Sequence, residues 1–445
     1  MKYPLKIFYV LIAFTVCLTT GFISTIEAEN TSDQPNIVSG DSKPCLYGLN
    51  FAPYEADQDP NMGTVVSAEQ IERRMKIVAP CTEWIRTFGC TKGMEHAGRI
   101  AKGLGLKTAI GAWISSDRSA NGAELRRLIQ EAGKGNVDIA IIGSEVLLRG
   151  DLTLDDLIAY MRQFRSEVPN VPMTSADVYF NLLGNPRLMA ECDVILVNYY
   201  PYWEGVPVKN VARWLHVRHQ RLVTLSGGKE VIISETGWPS AGDIIAEAVP
   251  TPENAAFFFM NFISWARAEN IRYFYFEAFD EPWKAVYEGP QGAHWGVWDK
   301  NGKLKPGMQA VLDGETMDNN WTCKHIPGGM GRESIEISRS PFAVSLGTLY
   351  GQVWHAAPDK HLVAVYIKVD NGWWTKPYFN NPVSAINCDG SWTCDINTGG
   401  MDQMTTEIAA FLIPLTYSPP IANGLVFLPD ELYTKSPAYV VVTRD

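Results

Sequence analysis

The chain has 445 residues, 46% of them apolar and 20% charged, with 14 Trp, 18 Tyr and a formal net charge of −11. That length exceeds what one compact core usually fills, so more than one domain is expected. The composition excludes a disordered or fibrous chain, and the negative charge gives no basic field to attract nucleic acid or polyphosphates.

At the N-terminus Lys2 and Lys6 precede a charge-free apolar stretch from Ile7 to Ile26, followed by the small residue Ala28. Residues 1–28 read as an export signal, with a retained membrane anchor as the alternative because about 20 apolar residues also span a bilayer. The protein is therefore expected to be secreted, periplasmic or at the cell surface, touching a membrane only if the anchor is kept. Residues 29–44 are polar, rich in Asn, Ser, Asp and Pro, and read as a linker. Setting Cys17 aside, an odd number of cysteines remains, so at least one is unpaired or intermolecular. Cys388 and Cys394 bracket CDGSWTC, which reads as a disulfide-closed hairpin. No cysteine or histidine cluster has metal-ligand spacing and no Gly-rich phosphate loop is present, so no metal or cofactor is implied.

From residue 45 to 314 short apolar runs alternate with amphipathic helical stretches. The strand candidates are LYGLNFAPY, EWIRTFG, KTAIGAWIS, DIAIIGSE, PMTSADVY, DVILVNYYPYW, EVIISETG and YFYFEAFDEPW. Their apolar cores are continuous rather than alternating, as in strands buried on both faces. Helix starts are punctuated by Ser67, Thr153 and Thr251-Pro252, with acids in the first turns. Eight such β-α units in about 270 residues predict a (β/α)8 TIM barrel, in preference to an open doubly wound sheet. Residues 315–332 read as a linker. Residues 333–445 carry short β-rich runs such as FAVSLGTLY, HLVAVYIKV, EIAAFLIPL and AYVVVTR between Gly, Asn and Asp turns, and read as a small β-sandwich-like accessory module.

In a parallel barrel the C-terminal strand ends converge on one mouth, so acids placed there are candidates for catalysis. Glu145 ends DIAIIGSE and Glu235 ends EVIISE, each behind a run of aliphatic residues that fixes its backbone. Glycosidic cleavage needs such a pair, one carboxyl to protonate the leaving oxygen and a second to attack the anomeric carbon or activate water. One must hold a proton while the other is ionised, so their surroundings must differ. Arg86 and Lys284 stand nearby as cationic supports. A single strand-end glutamate would more often be a capping or salt-bridged acid; two on strands four and seven favour chemistry.

KEVIISETGWPSAG from Lys229 closely resembles the signature of glycoside hydrolase family 17, the β-1,3-glucanases and β-glucan glucanosyltransferases. IIGSEVLLRGDLT, VNYYPYW and FEAFDEPWK with Glu288 resemble further segments of that family, and the resemblance spans about residues 46–313. It implies Glu235 as nucleophile and Glu145 as acid/base in a retaining hydrolysis of β-1,3-glucan, with transglycosylation to a sugar acceptor as the alternative and a non-catalytic polysaccharide-binding barrel as a third reading. One departure is Ser144, where the family commonly carries Asn before the acid/base.

The expected substrate-binding set is Tyr54, Arg86, Ser144, Asn198, Tyr200, Trp203, Trp238, Glu281, Trp283, Lys284 and Glu288, all at or beyond strand ends. Aromatic faces there stack on pyranose rings and amides bind hydroxyls, although rim packing explains a single aromatic equally well. Tyr202, Trp113, Asp117 and Asp177 are weaker mouth candidates, while Arg149 and Asp151 read as organisers of the turn after strand four. In the module, GWWTKPYF concentrates four aromatics, but adjacent Trp373 and Trp374 on a strand point to opposite faces, which favours core packing over sugar binding.

Overall fold

The structure, a computed structural model, describes residues 46–340 and 347–444. The expected signal and the linker after it fall outside the described residues, as do Pro341 and residues 342–346 of the FAVSLGTLY run. Seven parallel strands follow one another in chain order: β1 (Leu46–Asn50), β2 (Thr82–Arg86), β3 (Lys107–Ala112), β4 (Ile139–Ser144), β5 (Met173–Val178), β6 (Ile195–Asn198) and β7 (Val231–Glu235). The eighth segment closes the ring through single bridges, Tyr273 to Ile233 of β7 and Tyr275 to Leu49 of β1. Its amides complete the ladder, Phe274 N donating to Ile233 O at 2.7 Å and Tyr275 N to Gly48 O at 2.9 Å. The result is the (β/α)8 barrel expected from the strand count.

The continuous apolar runs have a direct cause. Trp84, Ala109, Ile141, Ala176, Leu196, Ile232 and Phe274, one from each of seven successive strand segments, fill the barrel interior as one cluster. The residues between them, such as Ile85, Ile142, Val197 and Ile233, pack outward against the helices in a second cluster. Gly48 has no side chain because a Cβ there would lie 2.7 Å from both the Phe274 ring and the Tyr273 carbonyl. The helix caps act as their residue types dictate: Ser67 accepts from Gln70 N, Thr153 from Asp156 N and Thr251 from Asn254 N. One element differs from the sequence reading. After β5 there are two short helices, Tyr179–Gly184 and Pro186–Glu191, where a single NPRLMAE helix was expected, because Pro186 restarts the chain after Asn185.

The C-terminal residues form two facing antiparallel sheets. The larger runs β15 (Asn423–Leu425), β11 (Gly372–Lys376), β10 (His361–Val369), β14 (Glu407–Pro414) and β16 (Ala438–Thr443), with β12 (Ser384–Ala385) also on β10. The smaller is β13 (Ser391–Asp395), β9 (Thr348–Trp354) and β8 (Ser334–Arg339). Ile335, Leu349, Val353, Val365, Trp392 and Leu412 pack between them. The other face of the larger sheet meets Val217 on the barrel helix Val211–Leu225, alongside Leu362, Tyr366 and Phe411. Trp373 belongs to this outer layer and Trp374 packs on the inner one, so the Trp pair serves the two faces of one strand.

The expected Cys388–Cys394 bond is not formed. Cys388 bonds Cys323, tying the segment after the barrel to the β12–β13 turn. Alternation along β13 turns Cys394 inward, where it is 3% exposed and remains a free thiol.

Candidate active site

The mouth of the barrel is built from polar residues that end buried strands. β7 is buried throughout and ends on Glu235, which is paired in register with Asn198 at the end of β6. Three donors converge on the Glu235 carboxylate. Arg86 Nη1 at 2.8 Å and Ser144 Oγ at 3.1 Å reach Oε1, and the Tyr200 hydroxyl reaches Oε2 at 2.6 Å. Arg86, itself fully buried, also donates to Asn50 Oδ1 at 2.6 Å and to Ser144 Oγ at 3.0 Å. Asn50 in turn donates to the Ser234 and Phe274 carbonyls at 2.9 and 3.0 Å. A carboxylate held by a bidentate-capable guanidinium and two hydroxyls is fixed in orientation and carries its counter-charge with it.

Glu145 lies one residue beyond β4 in a left-handed conformation, φ +56°, two residues after Gly143 at φ +79°. L-residues visit that region at a cost of roughly 1–2 kcal/mol. The turn is held by Glu145 N donating to Ala176 O at 2.8 Å and by Arg149, which donates to the Ser144 and Ile114 carbonyls and pairs with Asp151 at 2.7 Å. Arg149 and Asp151 thus organise this turn as their positions suggested. A Cβ at Gly143 would stand 2.5 Å from Val146 Cγ2, so the backbone that aims Glu145 admits only glycine there.

Asn198 Nδ2 donates to Glu145 Oε1 at 2.8 Å, and Asn198 Oδ1 accepts from the Ser234 hydroxyl at 2.5 Å, which fixes the amide's orientation. Burial, then the charge of Glu235, pushes the Glu145 carboxyl up to about 8; the Asn198 bond opposes the rise, Asp177 adds to it and Arg149 opposes it. Near neutral pH the mouth therefore holds one carboxyl that keeps its proton beside a carboxylate paired with arginine. This is the complementary pair that proton donation and nucleophilic attack require.

The eighth segment contributes a second acidic group. Lys284 Nζ lies 2.5 Å from Glu277 and 2.7 Å from Glu281, and Trp283 Nε1 donates to Glu281 at 3.0 Å. Burial drives Glu277 well above the usual carboxyl range despite Lys284. Glu281 is also pushed up by burial, but Lys284 and hydrogen bonds from Glu277, Lys284 and Trp283 hold it below its ordinary value. Burial raises Glu288 to about 7, partly offset by Lys284 and reinforced by Glu281. Burial alone would lower Lys284, and the Glu277 and Glu281 charges outweigh it, keeping the amine charged.

Burial sorts the expected substrate-binding residues into two layers. Arg86, Ser144 and Asn198 are buried and spend polar atoms on Glu235 and Glu145, while the buried Glu281 and Lys284 pair with each other, so all five stand behind the surface of the mouth. Ser144 in particular bridges Arg86 and Glu235. Tyr54, Tyr200, Trp203, Trp283 and Glu288 are half-buried at the mouth, and Trp113 is 40% exposed with the Arg149 guanidinium over its ring. Trp238 departs from expectation: it is 1% exposed, stacks on Phe258 and donates to Val249 O, so its faces are consumed in the barrel wall. Tyr202 is likewise fully buried against Trp238 and Trp295. Asp117 caps the helix Arg118–Gly133, and Asp177 accepts from Leu147 N, Val178 N and Asn181. Sequence reasoning missed Asn50, Ser234 and Glu277. Asn50 carried a signal, an amide closing an apolar strand. Among the described residues no group of His, Cys, Asp and Glu is placed to hold a metal.

Comparison with known proteins gives a consistent context. A family model described as the BtgE/BtgC glycoside hydrolase domain matches residues 48–296, more than half of the chain. A probable glucan endo-1,3-beta-glucosidase btgC of Aspergillus fumigatus is 28% identical over 295 residues, covering 59% of this chain and 43% of that protein. The glucan endo-1,3-beta-glucosidase btgC of Emericella nidulans is 27% identical, covering 59% and 45%. The chain thus spans less than half the length of these fungal relatives. Among solved structures, a glycoside hydrolase family 17 beta-1,3-glucanosyltransferase from Rhizomucor miehei is 31% identical, covers 59% of this chain and 97% of its own, and superposes with a TM-score of 0.53. An active-site mutant of the Rhizomucor miehei enzyme, in complex with laminaritriose, superposes with a TM-score of 0.54.

Proposed function

The chain belongs to the BtgE/BtgC glycoside hydrolase domain family, and from that premise we propose that it is a family 17 enzyme cleaving β-1,3-glucan with retention of configuration. The observation that carries the reading is the pair of unlike carboxyls at the ends of β4 and β7, Glu145 raised to about 8 and Glu235 held by Arg86, Ser144 and Tyr200. Glu235 attacks the anomeric carbon of the bound sugar while Glu145 donates its proton to the departing glycosidic oxygen, leaving a covalent glycosyl-enzyme. Once the leaving group has gone, Glu145 is ionised and takes a proton from water as the water oxygen bonds to the anomeric carbon and displaces the Glu235 carboxylate. Such a double displacement places the two carboxyl groups about 5–5.5 Å apart across the sugar. Tyr54, Trp203, Trp283 and Trp113 offer ring faces to pyranose units.

The β-1,3 linkage is supported by the fungal glucan endo-1,3-beta-glucosidases and by the laminaritriose bound to the Rhizomucor miehei enzyme. Because that enzyme is a glucanosyltransferase and matches nearly its whole length, transfer to a sugar hydroxyl is the second reading. The Cys323–Cys388 disulfide supports the expectation of an exported protein, since such bonds persist in oxidising compartments.

The test is product analysis on β-1,3-, β-1,4- and mixed-linkage glucans, with Glu235→Gln as the blank. Release confined to β-1,3 linkages and lost in the blank is expected; turnover equal to wild type in Glu235→Gln contradicts the assignment. Laminari-oligosaccharide products longer than the substrate would select transfer over hydrolysis.

A further inference from the structure

Away from the mouth, the barrel helix Val211–Leu225 and the accessory module enclose a cavity of about 280 Å³. Two arginines one turn apart, Arg218 and Arg221, line it together with Tyr179, Phe379, Asn381 and Ser418. Arg221 is 6% exposed, and among the described residues no carboxylate pairs with it. Its Nη1 reaches the Tyr417 carbonyl at 3.4 Å, while its Nε has no hydrogen-bond partner. Arg218 is stacked over Trp214, stands 3.7 Å from Glu204, and also leaves its Nε without a partner. Neither arginine touches the catalytic carboxyls, so the glycosidase chemistry gives no account of them.

A buried guanidinium without a counter-charge is costly and is ordinarily paired. Its planar fork matches the two oxygens of a carboxylate. The walls add two further requirements. Tyr179, Phe379, Leu183 and Leu362 ask for an apolar face, and Asn381 and Ser418 offer groups for hydroxyls. We propose that this cavity is a second binding site, for a small hydroxylated carboxylate of the acidic-monosaccharide class, seated with its carboxylate on Arg221. An occupant there touches both the barrel and the module and so strengthens their contact.

Calorimetric titration of the full chain with D-glucuronate, D-glucose and inorganic phosphate tests this. Glucuronate is expected to bind at least about tenfold more tightly than either comparator, since only it combines the charge with the sugar ring. Arg221→Gln is expected to weaken glucuronate by about tenfold or more while leaving glucan turnover and the thermal midpoint at wild-type values, because the side chain removed was an uncompensated buried charge. Ser418→Trp, an exposed position at the cavity, is expected to block glucuronate without disturbing the fold, and gives an answer even if Arg221→Gln does not fold. Equal binding of glucose and glucuronate, tighter binding of phosphate, or unchanged glucuronate affinity in folded Arg221→Gln or Ser418→Trp overturns the proposal.

Discussion

Replacing Asn198 by Ala removes its side-chain hydrogen bond to Glu145 while leaving the carboxyl in place. A hydrogen bond to a charged acceptor contributes about 1.5–3 kcal/mol and one to a neutral acceptor about 0.5–1.5 kcal/mol. The 2.8 Å bond thus favours the ionised form by about 1–1.5 kcal/mol, which at 1.36 kcal/mol per pKa unit is close to one unit. With the bond present, burial and the Glu235 charge already bring Glu145 to about 8, so the variant should titrate roughly one unit higher. Since the protonated form is the one that donates, kcat/KM on laminari-oligosaccharides should fall on the alkaline side near pH 8 in the wild type and near pH 9 in Asn198→Ala. The absolute rate will also drop, but the displacement of the limb is the diagnostic, because loss of a purely structural contact would scale the profile without moving it. A limb that stays put or moves to lower pH refutes the assignment of Glu145 as the proton donor and of Asn198 as its tuning partner.

Other consequences follow from the same groups. Arg86→Met leaves the Glu235 carboxylate buried without its counter-charge, and urea denaturation should show a loss of about 3–5 kcal/mol; a loss under 1 kcal/mol would mean the pair is not a buried unit. Glu145 and Glu288 bind protons more tightly folded than unfolded, so their contribution to stability is complete below the ordinary value of 4.5 and is lost as pH rises through about 7 to 8. The urea midpoint of wild type should accordingly fall more between pH 5 and 9 than that of Glu145→Gln, and parallel curves would contradict the shift. Cys388→Ser opens a loop of 65 residues, which chain-entropy reasoning values at about 4 kcal/mol; near-UV circular dichroism of the module should melt earlier, and an unchanged melt would show the bond to be dispensable.

The barrel was legible because double burial writes itself into composition: β4, β6 and β7 are unbroken aliphatic runs, with Ile141, Leu196 and Ile232 facing the interior and Ile142, Val197 and Ile233 the helices. Glu145 and Glu235 stood out as the acids that end such runs. The same double burial hides register, and this is why Glu277, inside FEAFDEPW, gave no sign that it joins Glu281 on Lys284. Burial of individual aromatics was also unreadable. A tryptophan just past a strand end looks the same whether it lines the mouth, as Trp283 does, or fills the wall, as Trp238 does. The supporting role of Ser144 became visible only when β2, β4 and β7 were brought together, since its partners lie 58 and 91 residues away. Disulfide pairing failed for a similar reason: local spacing favoured Cys394, whereas β-strand alternation buries it and hands Cys388 to the distant Cys323.

The central claim is that Glu235 forms a bond to the sugar, and it can be tested by trapping that species. Incubation with a 2-deoxy-2-fluoro laminaribiosyl inactivator slows both steps and should leave a glycosyl adduct that peptide mass spectrometry places on Glu235 within EVIISETGW. An adduct on any other carboxyl, or turnover of the natural substrate to the α-anomer with no adduct, would contradict the account.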